Sequence, residues 1–121
     1  MGDVSKNFNR SEWRCRCGDC EQVGPDPLLV TGMQELRDHF ASPVTINSGH
    51  RCKAYNRRIG GAPRSKHILG IANDFWVHGY SHDEVQEYLL RKYPLSYGIG
   101  RYDTFTHFDV RPYPARWDNR R

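Results

Sequence analysis

The chain has 121 residues, a hydrophobic content of 37%, a formal charge of +4 and a mean hydropathy of -0.82, which is enough for a single domain (1–121) with one modest core. It contains no apolar run of the roughly 18 residues that a membrane-spanning helix needs, and Met1-Gly2-Asp3-Val4-Ser5-Lys6 lacks the apolar stretch of a secretory leader, so none is expected. A pI near 9.0 favours polyanions, but the arginines are dispersed apart from Arg57-Arg58 and Arg120-Arg121, and no aromatic-plus-basic pattern points to nucleic acid as a partner.

The first 24 residues are polar and cysteine-dense, with Phe8 and Trp13 as apolar anchors, and mostly irregular structure is expected over Met1 to Glu21. Asp26-Pro27 is a helix start, a capping carboxylate followed by proline in the first turn. Leu29, Met33, Leu36 and Phe40 then recur at helical spacing until Ser42-Pro43 ends the helix. Val44 to Asn47 reads as a short strand that delivers Ser48-Gly49-His50-Arg51 to its end. Cys52 to Arg58 reads as a short helix, broken by Gly60-Gly61-Ala62-Pro63.

Gly70 can take positive φ and turn the chain into a strand from Ile71 to Val77. Alternation there puts Ala72, Asp74 and Trp76 on one face and Ile71, Asn73, Phe75 and Val77 on the other. Ser81-His82-Asp83-Glu84 is a capping box that opens a helix with Val85, Tyr88 and Leu89 as its buried stripe, stopped by Pro94. Tyr97 to Gly100 reads as a strand. Phe105 to Arg111 is another, with His107, Asp109 and Arg111 on one side and Thr106, Phe108 and Val110 on the other. The tail from Pro112 is rich in proline and arginine, and only Trp117 gives it a reason to pack.

Should the strands carrying Asp74 and His107 be neighbours, those two side chains converge, and His67 enters from the preceding loop. Two imidazoles and a carboxylate with an open fourth position suit a hydrolytic zinc, because a fourth protein ligand would exclude the attacking water. Spacing alone leaves the competing reading of ordinary structural histidines open, and it is the reading taken for His39, His78 and His82.

The pattern Ser65-x-His67-x-x-Gly70-x-Ala72-x-Asp74, followed by His107-x-Asp109, resembles the zinc D-Ala-D-Ala carboxypeptidases and the related phage and bacterial peptidoglycan peptidases. The resemblance extends to Ser48-Gly49-His50-Arg51, Asn56, Gly60-Gly61-Ala62 and Gly98-Ile99-Gly100. It implies an α+β fold, a small antiparallel sheet with flanking helices and a zinc site on the sheet face, with His67, Asp74 and His107 as ligands of one catalytic zinc. It further implies a metallopeptidase that hydrolyses peptidoglycan peptides, either as a carboxypeptidase or as an endolysin-like endopeptidase. A monomer is expected, acting on the bacterial cell wall and either phage-encoded or exported by another route.

In that family a catalytic acidic or histidine residue stands two or three positions before the last ligand. Phe105 and Thr104 occupy those positions here. Asp103, four positions before His107, is therefore favoured as general base, with Asp109 as its rival, although Asp109 could instead orient a ligand. Arg51 corresponds to the family's substrate-contacting arginine, whose planar fork suits a carboxylate or a developing oxyanion. His50 stands where relatives carry an aromatic residue and is assigned to the substrate pocket with Ser65, which either contacts substrate or braces its loop. Cys15, Cys17, Cys20 and Cys52 are given a structural role, with a second zinc and a disulfide such as Cys20 to Cys52 both open. The alternative function is a non-catalytic zinc-containing binding module of the same fold, as in the similar Hedgehog signalling domain.

Overall fold

A computed structural model describes residues 2–121. The first long element is helix α1, Pro27–Phe40. Asp26 opens it by accepting a hydrogen bond from the Leu28 amide at 2.8 Å, and Ala41 closes it in the left-handed conformation. The helical spacing holds: Leu29, Met33, Leu36 and Phe40 are all buried, joined by Val30. Strand β1, Val44–Ser48, follows, then helix α2, Lys53–Arg58, and a 3-10 turn, Lys66–Leu69, that closes at Gly70 with φ 74°. Strand β2, Ala72–Val77, leads to helix α3, His82–Lys92, whose expected Ser81/Glu84 capping box is formed. Strands β3, Gly98–Arg101, β4, Thr106–Asp109, and β5, Ala115–Asp118, complete the chain.

The five strands form one sheet in the order β1-β2-β4-β3-β5. The pairs β1/β2, β2/β4 and β3/β4 are antiparallel, as expected, and β3/β5 is parallel, so the sheet is mixed at one edge. This edge corrects the reading of the tail, which holds a strand and not only a packed tryptophan. The Arg116 guanidinium donates to the carbonyls of Tyr97, Ser96 and Tyr93, and the Ala115 amide donates to Tyr97. The polar tail is thus held mainly by backbone acceptors near β3, which composition does not reveal.

Alternation along the strands divides the sheet into two faces. Phe75, Val77, Ile99 and Phe108 lie in the hydrophobic core with residues of α1 and α3. Gly32 lets α1 approach closely, since a Cβ there would lie 2.9 Å from the Phe108 ring. Phe8 and Trp13 join this core, as the sequence suggests, with Trp13 at the end of a 3-10 turn, Arg10–Trp13. The Trp13 indole donates to Asn73 Oδ1 at 2.8 Å, which ties the N-terminal segment to the strand that carries Asp74. The opposite strand positions, Asp74, His107 and Asp109, make the other face.

Candidate metal centre

Cross-strand register places Asp74 of β2 opposite His107 of β4. On a pleated sheet, residues paired in this way project from the same face within a few ångströms of each other. His67 reaches the same point from the 3-10 turn. The Ser65 hydroxyl caps that turn by accepting the His67 amide at 3.2 Å, and Gly70 ends it. His107 Nδ1 lies 2.9 Å from Asp74 Oδ1, and His67 Nε2 lies 3.4 Å from the same oxygen.

The donor set fits zinc. One donor atom from each of His67, Asp74 and His107 falls within 4.8 Å of the others. Donors held about 2.0 to 2.2 Å from a tetrahedral zinc stand about 3.3 to 3.6 Å apart, close to the His67–Asp74 separation and somewhat longer than the His107–Asp74 one, which a metal would open slightly. Both rings are held by their other nitrogen. His67 Nδ1 faces the Gly49 carbonyl at 2.7 Å, which leaves Nε2 free for a metal, and His107 Nε2 faces Asp109 Oδ2 at 2.7 Å, which leaves Nδ1 free.

Charge follows from these contacts. Burial pushes the Asp74 carboxyl up, but hydrogen bonds from His107 and His67 outweigh it and hold the group well below the usual carboxylate range. Asp109 is likewise raised by burial and, more strongly, lowered by its bonds from Arg111 and His107. Burial alone would lower His107, yet hydrogen bonds to Asp109 and Asp74 prevail and raise it above its ordinary 6.5.

The three ligands stand in a cleft of about 580 Å³. Arg51, Arg64 and Lys66 supply positive charge around it, with Arg111 paired to Asp109, and Asp74 is the one carboxylate among the described residues of its lining. Tyr102, Phe105, Tyr113 and Trp117 form an aromatic wall. Trp117 comes from β5, with its ring centroid 4.9 Å from that of His107 and its indole donating to the Tyr102 hydroxyl at 2.8 Å. The sequence reading gave neither Trp117 nor the tyrosines a place here. A signal existed in Gly98-Ile99-Gly100: two glycines on one strand face leave room for something large, and a Cβ on Gly100 would collide with the Trp117 indole.

Arg51 lies at the rim of the centre. Its guanidinium approaches Asp74 Oδ2 at 3.5 Å and is steadied by Ser48 Oγ and Asn56 Oδ1, both at 3.2 Å. Asn56 is itself buried and donates to the Ala62 carbonyl at 2.8 Å, so the motif residues Asn56 and Ala62 form a bracket behind the arginine. Ser65 lines the cleft while bracing the His67 turn. His50 does not join them. It is buried, its amide is tied to the Trp13 carbonyl at 2.8 Å, and it stands apart from the residues that line the cleft to which it was assigned.

Neither carboxylate considered as a base opens onto the cleft. Asp103 sits in the β3–β4 turn with its side chain directed outward, where Oδ2 accepts the Arg121 amide at 3.0 Å beside Asp83, Asp118 and Arg120. Its neighbours Tyr102 and Phe105 line the cleft and Asp103 does not, because side chains in a tight turn diverge. Asp109 is fully buried, with Oδ1 and Oδ2 taken by Arg111 at 2.8 and 2.7 Å and Oδ2 also by His107. Its contact with the His107 ring is the geometry that the alternative role considered for it requires. His39, His78 and His82 stand outside the metal-ligand groups found among the described residues.

The described residues contain a second group able to hold a metal, the thiols of Cys15, Cys17, Cys20 and Cys52. A family model described as peptidase M15 matches residues 6–109. No curated protein matches the chain.

Proposed function

We propose, from the premise that this chain belongs to the peptidase M15 family, that it is a zinc metallopeptidase whose substrates are the peptides of bacterial peptidoglycan, cut within stem or cross-link segments. The observation that carries this reading is the convergence of His67, Asp74 and His107 on an open cleft, with both imidazoles fixed from behind. Bound there, zinc would lower the pKa of a water toward about 7 and polarise the scissile carbonyl.

The protein side of the mechanism lies in positioning and charge. The Gly49 carbonyl and Asp109 keep the two rings turned toward the metal position. Arg51 presents its guanidinium beside Asp74, suited to a substrate carboxylate or the oxyanion that forms on the attacked carbonyl. The spread of Arg51, Arg64 and Lys66 around the cleft suits a peptide with several carboxylates better than a single terminal one, which favours internal cutting. With Asp103 turned outward and Asp109 enclosed, we assign proton donation to the leaving amine to Tyr113 in the cleft lining, a phenol lowered from its ordinary value by Lys66 and, to a lesser degree, Arg111.

The test is incubation of the zinc-loaded protein with purified peptidoglycan, with the released fragments identified by mass. Fragments ending within stem or cross-link peptides support the reading; release of terminal D-alanine alone makes the protein a carboxypeptidase. A zinc-replete protein that releases nothing would be the non-catalytic module, which needs the same cage and no proton acceptor.

A further inference from the structure

We propose that Cys15, Cys17, Cys20 and Cys52 form a second, closed zinc site that fastens the N-terminal segment to the Arg51 side of the cleft. In sequence, only Cys17-x-x-Cys20 has the spacing of a zinc half-site. The fold supplies the missing partners: all four thiols are free, and their sulphurs lie within 4.8 Å of one another. Sulphurs about 2.3 Å from a tetrahedral zinc stand about 3.8 Å apart, a spacing that lies inside this bound. Two disulfides would instead draw the sulphurs into separate pairs about 2.0 Å long.

The surroundings resemble the outer shell of a metal site. The Cys52 amide donates to Cys15 Sγ at 3.3 Å, the Tyr55 amide to Cys52 Sγ at 3.4 Å, and Gln22 Nε2 to Cys20 Sγ at 3.7 Å. Donors aimed at sulphur favour the thiolate that zinc requires. Four thiolates leave no open position, so this ion would be structural, unlike the one in the cleft.

The location gives the site its purpose. Cys15 lies two residues after Trp13, which is bonded to Asn73 beside Asp74, and Cys52 directly follows Arg51, whose amide donates to the His67 carbonyl at 3.1 Å. One ion would thus join the two segments that flank the cleft from behind.

Zinc content, cobalt spectra and thermal unfolding test this without reference to activity. The wild type should carry about two zinc ions per chain, and the paired variant Cys17→Ser/Cys20→Ser about one. The cobalt-substituted protein should show a thiolate-to-metal charge-transfer band that persists in His67→Ala and vanishes in the cysteine variant, with a lowered unfolding midpoint in the latter. If the cysteine variant fails to fold, the band in His67→Ala still decides the matter. A wild type with one zinc and no thiolate band, or with disulfides found by mass under non-reducing conditions, overturns the proposal.

Discussion

Asp109 lies directly behind His107, its Oδ2 2.7 Å from the ring nitrogen that points away from the metal position, and Arg111 clasps the same carboxylate. The aspartate thereby fixes both the ring orientation and the nitrogen offered to the metal. Asp109→Asn should keep the fold but weaken zinc affinity about 10- to 100-fold, the usual scale for loss of such a partner. Competition against a chelator measures this, and unchanged affinity would show that the contact is dispensable.

Proton linkage at His107 gives the metal-free and metal-loaded proteins opposite pH trends. Its folded pKa is raised above 6.5, so the stability it contributes without metal is fully present below 6.5 and lost as pH rises through the raised value. Zinc needs the neutral ring, so zinc affinity weakens as pH falls below that value. Asp74 and Asp109 have depressed values, and their contribution is present above 3.8 and lost as pH falls through the lower folded values. Thermal midpoints from about pH 6 to about pH 9 should therefore fall in the apo protein and not in the zinc-loaded one. An apo His107→Gln protein with the same pH slope as wild type would remove His107 as the cause.

Arg51 separates terminal from internal recognition. Charge-assisted pairing with a carboxylate contributes about 1.5 to 3 kcal/mol, so Arg51→Ala should slow turnover of an anionic peptide at least about tenfold. With an internal cutter, amidating only the C-terminus should leave the wild-type rate nearly unchanged. A large loss on amidation, removing the advantage of wild type over Arg51→Ala, would instead identify a carboxypeptidase.

Tyr113→Phe removes the hydroxyl assigned to proton transfer and leaves the ring beside Lys66 and Arg111. A drop in kcat of about 100-fold with zinc content intact is expected. Equal kcat in the variant would return the role to some other group.

Behind the cleft wall, Gln86 is fully buried. It donates to the carbonyls of Tyr102 at 3.0 Å and Phe105 at 3.2 Å and accepts from Arg101 at 3.0 Å. Gln86→Leu leaves these partners unsatisfied and should cost about 1 to 3 kcal/mol in denaturant unfolding. No change in midpoint would mean that solvent replaces the lost bonds.

Much of this arrangement is legible in the sequence because it depends on local periodicity. The Asp26-Pro27 and Ser81/Glu84 caps mark their helices, and strand alternation puts Asp74 and His107 on one face. What escapes depends on distant partners. Ala115–Asp118 alternates apolar and polar residues over only four positions, too short a run to stand out in a proline- and arginine-rich tail, and is held by carbonyls near β3. Asp103 has a plausible spacing, but a turn sends its side chain toward Arg121. Gln86 is polar in a helix that reads as amphipathic, and only the hairpin folded over it explains its burial.

The Asp74–His107 register has a consequence for folding fidelity. A slip of one residue between β2 and β4 would set Thr106 or Phe108 across from Asp74 and turn His107 into the apolar layer. Such a misaligned sheet could not assemble the two-imidazole, one-carboxylate cage, so zinc would bind the correctly aligned chain selectively. The ion would then act as a proofreader of strand alignment, drawing the population toward the one pairing in which the chain can work.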